Sequence, residues 1–261
     1  MSTNVPTTVA DHYANHLAPI YSWMVGDFDV ACAQSLAFYK QIGLPEGGCR
    51  VAVDLGCGHG IHSIPLGRRG YRVFAIDSSR ILLDELKSRA GQLPIQIIED
   101  DLTGFSKHLA AGSVALVTCM GDTLPHLLSP DEVSSVIHDA ARCLMPGGIL
   151  LISLRDYTLR ELEGDARFIP VRSDEGRIHV CFLEYQPGKI LVHDIIHTRT
   201  DSGWQTTVSA YPKLRLSPDA LITIAESNGL LLTHRATNRG MVHLAFGLLV
   251  SPAEANQVGR K

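Results

Sequence analysis

The chain has 261 residues, with 23 Lys and Arg against 27 Asp and Glu, and a formal net charge of -4 whose two signs are interspersed. That length suits one large α/β domain, or one domain with a substantial insertion, and the mixed charge offers no basic stripe for a nucleic-acid groove. No run approaches the roughly 20 apolar residues that span a bilayer, and the polar start lacks the basic-then-apolar order of a signal peptide, so a cytoplasmic protein is expected. Its expected partners are a small-molecule substrate and, at most, a second copy of itself in a homodimer, with no nucleic acid and no membrane. Six cysteines at 32, 49, 57, 119, 143 and 181 form no CxxC pair and read as reduced structural thiols.

Residues 9–25 and 29–43 place Leu17, Ile20, Trp23 and Met24, then Leu36, Phe38 and Ile42, at approximately helical spacing, which predicts two helices ahead of the sheet. Tyr13 and Tyr21 either pack these helices down or form a lid over a ligand. Val51 to Leu55 is a short apolar run with an acidic residue inside it, the pattern of a buried parallel strand, and it runs into the glycine-rich turn of VAVDLGCGHG. Gly56, Gly58 and Gly60 let that turn bend tightly against a ligand, and a helix over 61–69 would aim its first amides back at it. Pro65 is tolerable in that helix only within the first turn.

Tyr71 to Ile76 forms a second strand ending at Asp77, Ser79 to Ala90 a helix, Ile95 to Ile98 a third strand closed by Asp100 and Asp101, and Val114 to Met120 a fourth. Ser129, Pro130 and Glu132 signpost a helix to about Leu144, stopped by Pro146-Gly147-Gly148, before a fifth strand over Ile149 to Leu154. Such alternation predicts a doubly wound, mostly parallel, Rossmann-like α/β sheet of seven strands. From Arg167 to Tyr211 the segments turn β-branched and alternating about Pro187-Gly188, which predicts an inserted antiparallel hairpin array. Ser217-Pro218 then caps a helix ending at Gly229. Leu230 to Thr237 and Met241 to Val250 complete the sheet through a turn too short for a parallel crossover, so the last strand is antiparallel. The resulting division is a helical lid at 1–48, a nucleotide-binding core at 49–155, a β-rich insertion at 156–215, completion of the core at 216–251 and a flexible tail at 252–261, with Met1 to Thr8 also poorly ordered.

Asp54 discriminates between ligands that share this architecture. A pyrophosphate on the helix N-terminus would face it, and two like charges ~4 Å apart cost about 4 kcal/mol at an effective dielectric of 20. Ile61 also stands where a dinucleotide fingerprint has glycine or alanine. A ligand with a cationic amino group and no phosphate fits Asp54 better, and S-adenosylmethionine (SAM) is one.

VDLGCGHG, AID at 75–77, DDL at 100–102, CMGDTLPHL at 119–127 and LMPGGILLIS at 144–153 together resemble the ordered motifs of a class I SAM-dependent methyltransferase of the small-molecule type. The resemblance implies SAM as cofactor, held by Asp54, Gly56, Cys57, Gly58, Asp77, Ser78, Asp101, Leu102, Met120, Gly121 and Tyr21. Within that set Asp77 would take the ribose hydroxyls and Asp101 the adenine. The alternatives are helix capping or solvated loop charge, and Asp100 in place of Asp101 for the adenine.

Methyl transfer needs a nucleophile in line with the donor in a dry site, and an amine or hydroxyl acceptor needs a base. His126 and Tyr13 are the catalytic candidates, with packing under the loop as the alternative for His126. CMGDTLPHL and LRDY are similar to segments of the glycine and sarcosine N-methyltransferases, which implies an amino-acid-like amine acceptor whose carboxylate Arg155 would clamp. Its alternative is a salt bridge to Asp156 or Glu161. Asp122, Asp156, Tyr157, His193, His197, Trp204 and Tyr211 complete the acceptor side. His193 and His197 lie ~13 Å apart on a strand, too far for one ion, so no metal is expected. An O- or S-methyltransferase, a catalytically idle SAM-binding protein and a nicotinamide-dependent oxidoreductase are the competing readings.

Overall fold

The computed structural model describes residues 8–249, so the expected disorder of residues 1–7 and the expected tail at 252–261 lie outside the described residues. A seven-stranded sheet runs in the order β10-β11-β5-β4-β1-β2-β3. Its strands are β1 (Val51–Leu55), β2 (Arg72–Asp77), β3 (Ile95–Glu99), β4 (Val114–Cys119), β5 (Leu144–Arg155), β10 (Leu230–Asn238) and β11 (Met241–Leu248). β1 to β5 pair in parallel, whereas β11 is antiparallel to both β5 and β10, as its short connection requires. Side chains alternate between two apolar layers. Val53 and Leu55 join one with α6 (Pro130–Cys143) and α7 (Pro218–Ser227), and Ala52 joins the other with α3 (Phe28–Gln41), α4 (Ser63–Arg68) and α5 (Arg80–Ala90).

Four further strands form a separate antiparallel sheet, β6 (Phe168–Ser173), β7 (Arg177–Gln186), β8 (Lys189–Thr200) and β9 (Gly203–Leu214), paired in that order. Register fixes its faces. Ile190, Val192 and Asp194 stand opposite Lys213, Tyr211 and Ser209, while His193, His197 and Arg199 stand opposite Ala210, Thr206 and Trp204. Because successive side chains point to opposite sides, the first set shares one face and the second set the other.

The elements differ from expectation in three places. The first predicted helix is broken into α1 (Val9–His12), a π turn over Tyr13–Leu17, a 3-10 turn over Ala18–Ile20 and α2 (Tyr21–Val25). Pro19 lies in the second of these turns and cannot donate to a continuous helix. Thr8, expected to be poorly ordered, caps α1 by accepting from the Asp11 amide. β5 begins at Leu144, paired with Val114, and the Pro146-Gly147-Gly148 segment bulges out before pairing resumes at Leu116 and Ile149. In α4, Pro65 is the third residue, where a missing N–H leaves no intrahelical bond unmade.

The glycine turn packs as tightly as its sequence suggests. Gly60 has φ 99°, and a Cβ there would collide with the Leu86 side chain of α5. Gly60→Ala therefore combines backbone strain with overpacking and should destabilise the protein by about 2 kcal/mol, read as a lowered urea midpoint at unchanged m-value.

Candidate active site

The carboxyl ends of β1, β2, β4 and β5 converge on one edge of the sheet. Asp77, ending β2, accepts from the Gly58 amide at 2.8 Å and from the Ser79 amide at 2.8 Å, so it ties the glycine turn to the start of α5. Each carboxylate oxygen retains a second acceptor site for a hydroxyl. Ser78 beside it is exposed and Cys57 is buried beneath the turn. Gly56 and Gly58 adopt left-handed φ of 66° and 52°, and a Cβ on Gly58 would sit 3.8 Å from the Tyr21 ring. Tyr21 thus covers the turn, and burial, aided by Asp77, pushes its hydroxyl up to about 12. Gly121 has φ 76° and nothing within 4 Å of where a Cβ would stand. Next to it Met120 is buried.

Asp54 does not face this edge. Ser63 donates to its Oδ2 at 2.5 Å and Thr118 to its Oδ1 at 2.8 Å, so the carboxylate braces α4 and β4 from below the turn. The two hydroxyls claim it because it points inward from a fully buried strand. Burial pushes it up to about 6 despite those bonds. Asp101 is exposed and caps the following 3-10 turn, its Oδ1 accepting from the Thr103 amide and hydroxyl, with Leu102 half-buried behind it. Asp100 instead binds Lys107 and His108, and these partners hold it down to about 2.

The acceptor side is a cluster of rings. Tyr13 lies 5.5 Å from His126 and 6.3 Å from Tyr21 between centroids, and Tyr211 stacks on His126 at 5.5 Å with 17° between planes. The other stacking partner of Tyr211 is His12, at 4.1 Å. Burial raises the Tyr13 and Tyr211 hydroxyls well above the ordinary tyrosine range, and burial with the nearby Lys213 charge lowers His126 well below the usual histidine value. His126 is therefore a neutral imidazole, and its buried Nδ1 has no hydrogen-bond partner among the described residues.

Asp122 carries φ 69°, a left-handed conformation that costs a non-glycine residue energy and recurs at functional sites. Its carboxylate accepts from the Arg155 amide at 2.8 Å, from Lys213 Nζ at 2.6 Å and from the Tyr157 hydroxyl at 3.3 Å. Burial opposes the Lys213 charge, but the Asp122 carboxylate outweighs it and keeps the ammonium protonated.

Of the expected acceptor residues, Arg155 lies at an exposed margin of this side and three others lie elsewhere. The Arg155 side chain is exposed, with a guanidinium nitrogen 3.3 Å from where a Gly240 Cβ would stand in the β10–β11 turn, and its charge reaches Tyr157 and Cys181. It does not pair with Glu161, which binds Arg215. His193, His197 and Trp204 occupy the opposite face of the four-stranded sheet from Tyr211; His193 bonds Glu184, His197 bonds Thr206 and Trp204 is half exposed. A one-residue step along β8 separates them from the inward face.

That inward face holds His179, one of the histidines the sequence places near the pocket or insertion, together with Asp194, His12 and His16, which it did not single out. Asp194 accepts from His12 at 2.8 Å, His179 at 2.8 Å and Cys181 at 2.9 Å, and His16 bonds the Asp194 carbonyl at 3.0 Å. The His179, Cys181 and Asp194 ligand atoms lie within 4.8 Å of one another, a donor set for a cation; Asp194 Oδ1 accepts from His179 Nε2 and Cys181 Sγ, while the buried His179 Nδ1 has no partner among the described residues. The cluster fastens the N-terminal segment to β8.

The fold and the glycine-turn site resemble those of a class I SAM-dependent methyltransferase domain. Residues 52–148 match the family described as a methyltransferase domain. Cypemycin N-terminal methyltransferase from Streptomyces sp is 31% identical over 121 residues, 46% of this chain and 48% of that protein. Glycine N-methyltransferase from Mus musculus is 29% identical over 162 residues, 56% of this chain and 54% of that protein. The chain thus spans about half the length of the curated relatives it matches. Among solved structures, the CcbJ methyltransferase from Streptomyces caelestis superposes with a TM-score of 0.73 at 20% identity, covering 92% of this chain and 99% of its own. SAM-bound CalS10, an amino pentose methyltransferase from Micromonospora echinaspora, does so with a TM-score of 0.71 at 15% identity, covering 88% and 95%. These two likenesses concern the fold. No helix among the described residues is long and apolar enough to cross a membrane.

SAM is the cofactor of this class, and the residues present fit it: a Cβ at Gly58 would meet nothing closer than the Tyr21 ring at 3.8 Å and one at Gly121 nothing within 4 Å, and Asp77 has acceptor sites to offer. Asp77→Asn replaces a two-way acceptor with an amide and loosens Gly58, so it should weaken S-adenosylhomocysteine (SAH) binding by about tenfold in calorimetry.

Acid should destabilise the folded chain. His59 and His62, both lowered to about 4 chiefly by burial, refuse protons that the unfolded chain accepts below its ordinary histidine value, so stability falls as pH drops from about 6.5 toward 4. Asp54, raised to about 6, takes up a proton in the folded state over the same interval and partly offsets the loss. Melting temperatures across this window should decline with acidification, and more steeply in Asp54→Asn.

Proposed function

We propose that the protein transfers a methyl group from SAM to the amine nitrogen of a small-molecule acceptor. When bound, the cofactor supplies an activated methyl group on a cationic sulfur. The observation that carries the amine reading is the neutral, half-buried His126 among Tyr13 and Tyr211, beside the tyrosine that covers the glycine turn. An amine reacts only through its free lone pair, and a neutral imidazole can accept a hydrogen bond from its N–H and so aim that lone pair at the methyl group.

In this reading Tyr13 and Tyr211 hold the acceptor against His126, their aromatic faces suiting an amine and their hydroxyls staying protonated through the neutral range. Asp77, Gly56, Gly58, Gly121 and Tyr21 bind the cofactor, with Cys57, Ser78, Met120 and Leu102 lining it and Asp101 offering its free oxygen to the adenine. Tyr157 closes the acceptor side through Asp122. Cypemycin N-terminal methyltransferase and glycine N-methyltransferase among the relatives support nitrogen as the methylated atom, and a ubiquinone biosynthesis O-methyltransferase 30% identical over 134 residues keeps oxygen as the competing reading. The amino-acid form of the acceptor rests on Arg155, which is exposed beside the β10–β11 turn and whose charge reaches Tyr157.

The test is incubation with SAM and a panel of primary and secondary amines, phenols and thiols, followed by mass spectrometry for one added methyl group. Methylation confined to phenols or thiols overturns the amine reading. His126→Ala should lower kcat by about a hundredfold with SAH affinity unchanged. Unaltered turnover under a rate-limiting methyl step removes His126 from the mechanism.

A further inference from the structure

Lys213 is a buried cation beside the proposed acceptor position. Its β9 register puts it on the same face as Tyr211 and Ser209, and its Nζ lies 5.8 Å from the Tyr211 ring centroid. Its charge acts on His126, on Tyr21 and on Tyr157, so it lies among the candidate base, the cofactor-side tyrosine and the residue closing the acceptor side. An ammonium has three N–H donors, and among the described residues Lys213 makes one hydrogen bond, to Asp122 at 2.6 Å. Leaving the others unmet in a dry site is costly, which makes them binding groups for whatever enters.

We propose that Lys213 anchors the acceptor by donating to a neutral oxygen, a hydroxyl, carried on the carbon next to the amine, so that the acceptor class is an amino alcohol. The inference rests on the amine reading above. Charge decides between a hydroxyl and a carboxylate. Asp122 and Lys213 form a neutral pair, and Asp194 is engaged by His12 and His179. A carboxylate on the acceptor would share the single ammonium with Asp122 and bring a second negative charge beside it. A hydroxyl takes the same hydrogen bond and adds no charge.

Three probes built on one ring separate these cases: cyclohexylamine, trans-2-aminocyclohexanol and cis-2-aminocyclohexanecarboxylate. Each is titrated into the SAH-loaded protein and assayed for methylation with SAM. The hydroxyl probe should bind about tenfold more tightly than the plain amine, the carboxylate probe should gain nothing, and the hydroxyl advantage should vanish in Lys213→Met. Lys213→Gln, which retains a polar amide of similar length, gives a second test should the methionine variant not fold, and should shrink the advantage while SAH affinity is retained. The effect belongs in the acceptor KM more than in kcat. Cyclohexylamine methylated with no hydroxyl advantage, an advantage that survives in both variants, or a preference for the carboxylate each overturns the inference while leaving the amine reading intact. Failure of every amine to be methylated overturns both.

Discussion

The Asp122 carboxylate joins the two sheets, and the geometry of the acceptor side depends on it. It sits where β4 gives way to the loop carrying His126, in a backbone conformation that favours glycine. From there it accepts from the Arg155 amide at the end of β5, from Tyr157 just beyond, and from Lys213 on β9. Removing one partner of such a buried pair leaves an uncompensated charge, so Asp122 and Lys213 constrain each other. The strain at Asp122 is sustained because three donors from separate segments hold the carboxylate in place. The seven-stranded sheet thereby fixes where the four-stranded sheet presents Tyr211.

A second set of polar contacts fixes the N-terminal segment. His12 and His16 bond the side chain and the carbonyl of Asp194, and Ser22 donates to Glu85 on α5. Between these attachments the chain passes through a π turn and a 3-10 turn, which a continuous helix could not replace without rotating Tyr13 and Tyr21 relative to one another. Tyr13 then meets His126 while Tyr21 meets the glycine turn. One short segment therefore contributes to both halves of the site, the cofactor half anchored through α5 and the acceptor half through β8.

The seven-stranded sheet was legible because its signals are local. The apolar run of Val51 to Leu55 and the Ser129-Pro130-Glu132 cap act within a few residues of themselves, and the short turn at Asn238-Arg239-Gly240 forces β11 antiparallel. The glycine turn and Asp77 could be read for the same reason. The acceptor side is built from pairs far apart in sequence, His12 with Asp194 and Asp122 with Lys213, and no spacing rule reports them. Strand parity hid more. LVHDIIH does not alternate cleanly, so nothing in it says whether His193 or Asp194 faces inward; the answer comes from the N-terminal segment that covers one side. A cue was present in His179 and Cys181, two polar residues at a two-residue step between apolar neighbours, which is the pattern of one shared face.

Asp54 shows how a correct motif can carry an incorrect role. Its acidity excluded a pyrophosphate because a carboxylate was assumed to point at the ligand. In the structure Ser63 and Thr118 draw it inward, and its charge is disfavoured by burial. The exclusion now depends on Asp77, which stands nearer the edge, accepts from the Gly58 amide and would oppose any phosphate laid on that turn. The turn is thus bordered by a carboxylate that is positioned for hydroxyls and unsuited to phosphate. The cofactor preference survives the change of residue because it is a property of the electrostatics at the end of β2, not of the motif position from which it was first argued.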